Sequence, residues 1–246
     1  MSLASDLRVL YHMALRPIRG KSHQDRLESF YSGQAEAYDD FRRRLLRGRE
    51  DLWQAIDVPA GGIWVDLGGG TGSNLEYFGD SIRLLKKVYL VDLAPSLLKM
   101  ARQRIESRGW TNVEAIEADG TTFRPPEGSA DVVTCSYSLT MIPDWFAAID
   151  NAHAMLADGG RVGVVDFYVA RKYPSDGLRK HSWFTRTFWP TWFSSDNVYP
   201  SPDHVPYLHR RFEPLHFEEH WTKVPYIPLI RTPYYTFVGR KRDTAR

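Results

Sequence analysis

Two rhythms of apolar residues run through the middle of the chain. Short runs rich in Val, Ile and Leu fall at 63–67, 87–93, 113–117, 132–136 and 161–167. Runs of that length, bounded by Gly, Pro, Asn or Asp, read as strands. Between them the apolar positions take helical spacing. Residues 96–107 carry Leu97, Leu98, Ala101 and Ile105 on one face, with Pro95 at the entrance. Residues 145–156 carry Phe146, Ile149, Ala152 and Leu156 and stop at Asp158-Gly159-Gly160. Two later stretches, 215–221 and 234–240, also read as strands. In the first, Leu215, Phe217, Glu219 and Trp221 alternate with His216, Glu218 and His220. Strands alternating with helices predict βαβ units and a parallel sheet. The expected fold is therefore α/β, an open sheet of about seven strands, mostly parallel, with an antiparallel strand near the C-terminus. One domain is expected over 1–246: helices in 1–57, the βαβ core in 61–167, an aromatic insertion in 168–213 and the final strands in 214–246.

Composition changes this picture in only one respect. The 246 residues are 43% hydrophobic and 25% charged, ordinary for a globule with a real core, which excludes disordered, collagen-like and disulfide-stapled classes. Cys135 is the one cysteine, so no internal disulfide forms and a reducing, cytoplasmic setting is expected. No run of eighteen apolar residues exists to span a bilayer. Asp6, Arg8 and Arg16 interrupt any signal-peptide pattern near the start. A net charge of +2 leaves no electrostatic footprint for nucleic acid. The exception is aromatic content, at 13%, with Trp183, Phe184, Phe188, Trp189, Trp192 and Phe193 crowded into one stretch.

The candidate chemistry begins where the first strand runs into Gly68-Gly69-Gly70-Thr71-Gly72. Such a turn lets backbone approach a ligand closely. Three acids follow at strand ends: Asp66 on the first, Asp92 on the second and Asp119 just past the third. In an open parallel sheet all three stand at the carboxyl edge, where ligands bind. Asp92 can accept both hydroxyls of a ribose, and Asp119 with Gly120 an exocyclic adenine amine. Asp66 beside the loop can orient a cationic amino-acid moiety. Singly, such acids are turn or cap residues; together with the loop they point to a nucleoside site. His216-Phe217-Glu218-Glu219-His220 fits an inverted zincin pattern, but on a strand the two imidazoles would stand about 13 Å apart, so no metal is expected.

The combination Asp66-Leu67-Gly68-Gly69-Gly70-Thr71-Gly72, Asp92, Ala118-Asp119-Gly120 and Leu156-Ala157-Asp158-Gly159-Gly160 resembles the class I S-adenosylmethionine-dependent methyltransferases. The resemblance covers about residues 61–167. It implies S-adenosyl-L-methionine as cofactor, held by Tyr31, Asp66, Gly68, Gly69, Gly70, Gly72, Asp92, Leu93, Asp119, Gly120 and Ser136. Flanking segments narrow it further. Asp6-Leu7-Arg8-Val9-Leu10-Tyr11-His12, the stretch from Gln24 to Ala35, Tyr38-Asp39-Asp40-Phe41-Arg42 and Leu45-Leu46-Arg47-Gly48-Arg49 resemble the N-methyltransferases of betaine-lipid synthesis. That family adds three methyl groups to the amine of diacylglyceryl-homoserine.

This resemblance implies roles for further residues. Tyr31 and Tyr38 share a face if 27–47 is helical, and a tyrosine-bearing helix covers the cofactor in similar enzymes. Tyr38, Tyr137 and His209 are the candidates for catalysis, although His209 reads more readily as a surface histidine. Arg42 and Arg43 in one basic run compete with Arg210 and Arg211 to clamp the homoserine carboxylate. A lipid substrate implies a membrane surface as partner and peripheral attachment, and the enzyme that makes diacylglyceryl-homoserine as a further partner. Residues 1–16, with Leu3, Leu7 and Leu10 on one face, and the aromatic stretch 183–193 are the segments suited to touch it. Rival readings are a methyltransferase acting on phosphatidylethanolamine or a quinone precursor, and a non-catalytic cofactor-binding membrane adaptor.

Overall fold

The computed structural model describes residues 20–31, 45–195, 197–224 and 230–242. Seven strands form one sheet: β1 Ile63–Leu67, β2 Lys87–Asp92, β3 Val113–Glu117, β4 Ala130–Ser136, β5 Leu156–Phe167, β6 Phe212–Lys223 and β7 Arg231–Lys241. Their order is β3-β2-β1-β4-β5-β7-β6. β7 alone runs antiparallel to its neighbours β5 and β6, and the remaining pairs are parallel. This is the expected sheet, with its single reversed strand near the C-terminus.

Among the described residues six α-helices dress it: α1 His23–Tyr31, α2 Arg49–Gln54, α3 Pro95–Arg108, α4 Trp145–Met155, α5 Trp183–Ser194 and α6 His204–Arg211, together with a kinked 3-10 segment Ser73–Leu84. α3 starts with Pro95 in its first turn and stops at Gly109, whose φ of 62° supplies the left-handed cap. α4 begins where Asp144 accepts the backbone N–H of Ala147 at 3.1 Å. Its end corrects the sequence reading. The helix stops at Met155, and Asp158-Gly159-Gly160 lies inside β5: Leu156 pairs with Ala130 while Arg161 pairs with Val132, so the residues between bulge out of the ladder.

Alternate positions on the strands feed two cores. One face carries Trp64, Leu90, Val132, Val165, Phe167 and Tyr234, covered by Leu52 and Trp53 of α2, Phe78, Leu97 and Leu98, and Trp189 and Phe193 of α5. The opposite face carries Val65, Val91, Val133, Val164 and Phe237 against Ile149 and Ala152 of α4 and Val205 and Leu208 of α6. The aromatic insertion is thus split. Trp189 and Phe193 are core, which leaves the other rings of the stretch for any contact with a membrane. The two faces are closed by helices, so the open ground is the carboxyl edge.

Candidate active site

β1 delivers the chain to that edge and the glycine turn bends it back. The N–H groups of Gly68 and Gly69 donate to the Val91 carbonyl at 2.8 and 3.2 Å. Gly68 has a φ of 70°, and a Cβ there would lie 2.4 Å from Cβ of Ser138. Only glycine admits both the left-handed backbone and the contact with the loop after β4. Gly69 turns inward instead: a Cβ would meet Leu90 Cγ at 2.6 Å and Asp66 Oδ2 at 3.0 Å.

Asp92 ties two loops together. Its Oδ2 accepts the Gly70 N–H and its Oδ1 the Ala94 N–H, each at 2.9 Å. Beside it opens a cavity of about 270 Å³ lined by Gly68, Gly70, Asp92, Leu93, Asp119 and Gly120, among others. Asp119 Oδ1 accepts both the backbone N–H and the hydroxyl of Thr121 at 2.8 Å. Asn151 of α4 donates to the Gly120 carbonyl at 2.8 Å, which fixes the floor of that end. A carboxylate offers about four acceptor positions, so two backbone donors on Asp92 are compatible with two ribose hydroxyls as well.

α1 forms a wall that the sequence reading had placed elsewhere in the N-terminal helices. His23 and Leu27 line the cavity. The helix is pinned by Gln24 Nε2 donating to Glu117 at 2.8 Å and by Glu28 accepting the Ser96 N–H at the start of α3 at 3.1 Å. Burial, then the nearby Arg26 charge, lowers the His23 pKa, so its ring is neutral at pH 7. A signal for this helix was present: Ser22 and Asp25 form a reciprocal capping pair, each accepting the other's backbone N–H at 3.0 Å. Leu97, Met141 and Ile142 also line the cavity without having been singled out.

Asp66 does not line it, contrary to expectation. The carboxylate is fully buried under the loop, accepting from the Thr134 hydroxyl at 2.7 Å and Asn74 Nδ2 at 3.3 Å. Thr134 in turn accepts from Trp64 Nε1 at 3.0 Å, and Arg49 donates to Asn74 Oδ1 at 3.3 Å. Asp66 is therefore a brace for the glycine turn, and burial pushes its pKa up to about 6. Gly69, Gly72 and the buried Ser136 hydroxyl are likewise absent from the lining. They shape or support the turn rather than face the cavity.

Tyr137 lines the cavity. Its φ of 53° is rare for a residue with a side chain, a strain costing about 1–3 kcal/mol. The hydroxyl donates to the Arg47 carbonyl at 2.7 Å and burial drives its pKa far up. The phenol is thus neutral, with its proton held by that carbonyl, which gives the hydroxyl a structural contact. The same loop is held by Asp166, whose carboxylate accepts the Thr140 N–H at 3.1 Å and hydroxyl at 2.8 Å. Burial raises the Asp166 pKa to about 7.

Three other expected residues lie away from the cavity. His209 of α6 packs edge-on against Phe217, with ring centroids 4.9 Å apart, and against Phe237 at 5.3 Å. Arg211 pairs with Asp150 of α4 at 2.9 Å, and Arg210 is exposed on the same helix. α6 covers the face opposite α5, so neither arginine can clamp a substrate at this cavity and His209 is no base there. His216 and His220 stand on β6, as expected of a strand. Tyr38, Arg42 and Arg43 lie outside the described residues, as do residues 1–16. Tyr31 ends α1, and its side chain is not among those described.

A family model described as a methyltransferase domain matches residues 35–199. Among curated proteins, the ubiquinone/menaquinone biosynthesis C-methyltransferase UbiE of Escherichia coli O1:K1 is 26% identical over 162 residues, 63% of this chain and 64% of that protein. The match thus spans less than two thirds of that relative's length. Among solved structures, phosphoethanolamine N-methyltransferase 2 of Haemonchus contortus, in complex with S-adenosyl-L-methionine, superposes with a TM-score of 0.69 at 15% identity, over 91% of this chain and 60% of that one. The N-methyltransferase NodS of Bradyrhizobium japonicum WM9 gives 0.57 at 16% identity, over 84% and 99%. The sheet order, glycine turn and carboxyl-edge cavity are those of the class I methyltransferase fold.

Proposed function

Because this chain belongs to the methyltransferase-domain family, and is an S-adenosylmethionine-dependent methyltransferase, we propose that its substrate is a homoserine-headed lipid. The reaction is three successive N-methylations of diacylglyceryl-homoserine, giving the trimethyl betaine lipid at a membrane surface. The observation that carries this reading is the run of aromatic rings leading inward from the cavity-lining Tyr137. Tyr137 lines the cavity; its ring packs on Phe167 with centroids 4.7 Å apart, and Phe167 stacks on Phe193 at 4.9 Å. An amine that gains methyl groups ends as a quaternary ammonium, which aromatic faces attract. The flanking segments from Asp6 to Arg49 support the choice of head group.

The residues present suit the cofactor. Asp92 would accept its ribose hydroxyls and Asp119 its adenine amine, with the backbone of Gly68 and Gly70 against it and α1 as cover. Bound there, S-adenosyl-L-methionine supplies a methyl group already activated on a sulfonium. The protein's task is then alignment. The amine must be neutral to react. With an α-amino pKa of about 8, roughly a tenth is neutral at pH 7, a cost of about 1.4 kcal/mol. A cost of that size needs no strong base; water or a backbone carbonyl suffices.

A second reading is C-methylation of a quinone precursor, favoured by the 26% identity to UbiE. Purified protein given diacylglyceryl-homoserine in vesicles with S-adenosyl-L-methionine should yield mono-, di- and trimethylated lipid by mass spectrometry. No methylated lipid, with methyl transfer to a demethylated quinone instead, would overturn the first reading in favour of the second.

A further inference from the structure

α5 is aromatic on both faces but buries only one. Trp189 and Phe193 are 1% and 4% exposed, whereas Trp183, Phe184 and Trp192 are 72%, 52% and 43% exposed. The exposed rings are ordered. Phe184 stacks on Phe188 with centroids 5.0 Å apart and planes 15° apart, and Phe188 stacks on Trp192 at 5.6 Å and 28°. These residues are spaced by four, so they form one ladder along the helix.

Three hydroxyls at the C-terminal end of the helix bond to backbone. Thr191 donates to the Thr187 carbonyl at 2.8 Å, Ser194 to Thr191 at 2.7 Å and Ser195 to Trp192 at 2.8 Å. Returning a hydroxyl to the helix's own backbone removes the cost of taking it out of water. Charge is also biased. From residue 170 to 195 there are five cations, Arg171, Lys172, Arg179, Lys180 and Arg186, against one acid, Asp176. Arg171 is paired with Asp203 at 2.6 Å, while Lys172, Arg179 and Lys180 are exposed just before the helix.

We infer that the exposed face of α5 docks on an anionic lipid bilayer, with Phe184, Phe188 and Trp192 entering the interface and Lys172, Arg179 and Lys180 meeting phosphate groups. Three features favour lipid over a protein partner: exposed Trp and Phe rings of the kind that suit the headgroup level, three hydroxyls returned to backbone, and a cationic flank complementary to an anionic surface. The position serves the proposed reaction and rests on that reading for its purpose. α5 sits at the carboxyl edge, with Trp189 Nε1 donating to the Arg231 carbonyl at 3.1 Å. Its buried ring Phe193 contacts Phe167, which contacts Tyr137 at the cavity wall. A lipid held at α5 therefore has its head group within a few side chains of the cavity.

The test is sedimentation with vesicles of phosphatidylcholine, alone and mixed with phosphatidylglycerol, containing no homoserine lipid. Wild-type protein should bind the mixed vesicles, more weakly at high salt. The double variant Phe184→Ser/Trp192→Ser should lose roughly tenfold or more in partitioning while its melting temperature and affinity for S-adenosyl-L-methionine stay as in wild type. Should that variant fold poorly, Arg179→Glu/Lys180→Glu provides the second arm and should abolish the preference for phosphatidylglycerol. Unchanged binding in variants that retain the wild-type fold overturns the inference. So does a wild type that ignores vesicles and self-associates through a contact the double variant loses. Because these vesicles lack substrate, vesicle binding without methylation of the homoserine lipid would sink the substrate reading and leave the docking surface standing.

Discussion

The two halves of the sheet meet solvent at the carboxyl edge in different chemical terms. β1, β2, β3 and β4 end in glycine, carboxylates and backbone donors tied to one another, as in the Asp92 bridge between Gly70 and Ala94. β5 ends and β7 begins beneath aromatic rings, with Trp189 on the Arg231 carbonyl and Phe193 on Phe167. The first half is built by hydrogen bonds of fixed direction, the second by area and stacking. A polar ligand of fixed shape calls for the former. A greasy substrate that arrives with a surface calls for the latter, which is how we read the difference.

The largest expected effect separates the two faces within α5. Trp189→Ala removes a fully buried ring and should cost about 3–5 kcal/mol of stability in denaturant unfolding. Trp192→Ala, three residues on, should change stability by about 0.5 kcal/mol or less. Equal losses would mean that the exposed ladder is part of the core and would erase the contrast.

Next comes Asp92→Ala. Each hydrogen bond to a charged group is worth about 1.5–3 kcal/mol, so affinity for S-adenosyl-L-methionine should fall at least about tenfold by calorimetry. Sedimentation with lipid vesicles should not change. Wild-type affinity in this variant would remove Asp92 from the cofactor half.

A third effect, spread over several pH units rather than seen at one pH, is a pH dependence of stability. Asp166 titrates at about 7 in the folded protein against 3.8 as its ordinary value, and Asp66 at about 6. The folded state thus holds these protons more tightly than the unfolded state. Their contribution favours folding fully below about pH 4 and is lost as pH rises through 6 and 7, at up to about 1.4 kcal/mol per unit for each group. Asp166→Asn should flatten part of that decline between pH 4 and 7 in urea unfolding. An identical slope in wild type and variant would contradict the assignment.

Much of the first half was legible because its signals are local. The strands 63–67 and 113–117 match the structure to the residue, and Asp92, Leu93, Asp119 and Gly120 all reach the cavity. What failed depends on distance in sequence. Asp66 looked like a ligand group, but its fate is set by Thr134, sixty-eight residues away, and Asn74. The Tyr137 hydroxyl is taken by the Arg47 carbonyl across ninety residues. Arg210 and Arg211 carried the right chemistry on the wrong face of the sheet. α5 escaped notice as a helix because rings surround it, leaving no apolar stripe to count. Gly159, read as a helix stop, instead shapes a bulge within β5, since a left-handed glycine signals a turn without saying which element it interrupts.

The division between the halves is tested most directly by one rate comparison. Initial rates of methyl transfer to diacylglyceryl-homoserine are measured in anionic vesicles and as a short-chain monomeric lipid, for wild type and Phe184→Ser/Trp192→Ser. The account predicts that the variant loses about tenfold on vesicles and keeps the wild-type rate on the monomeric lipid. An equal loss on both forms, or no loss on either, would contradict it.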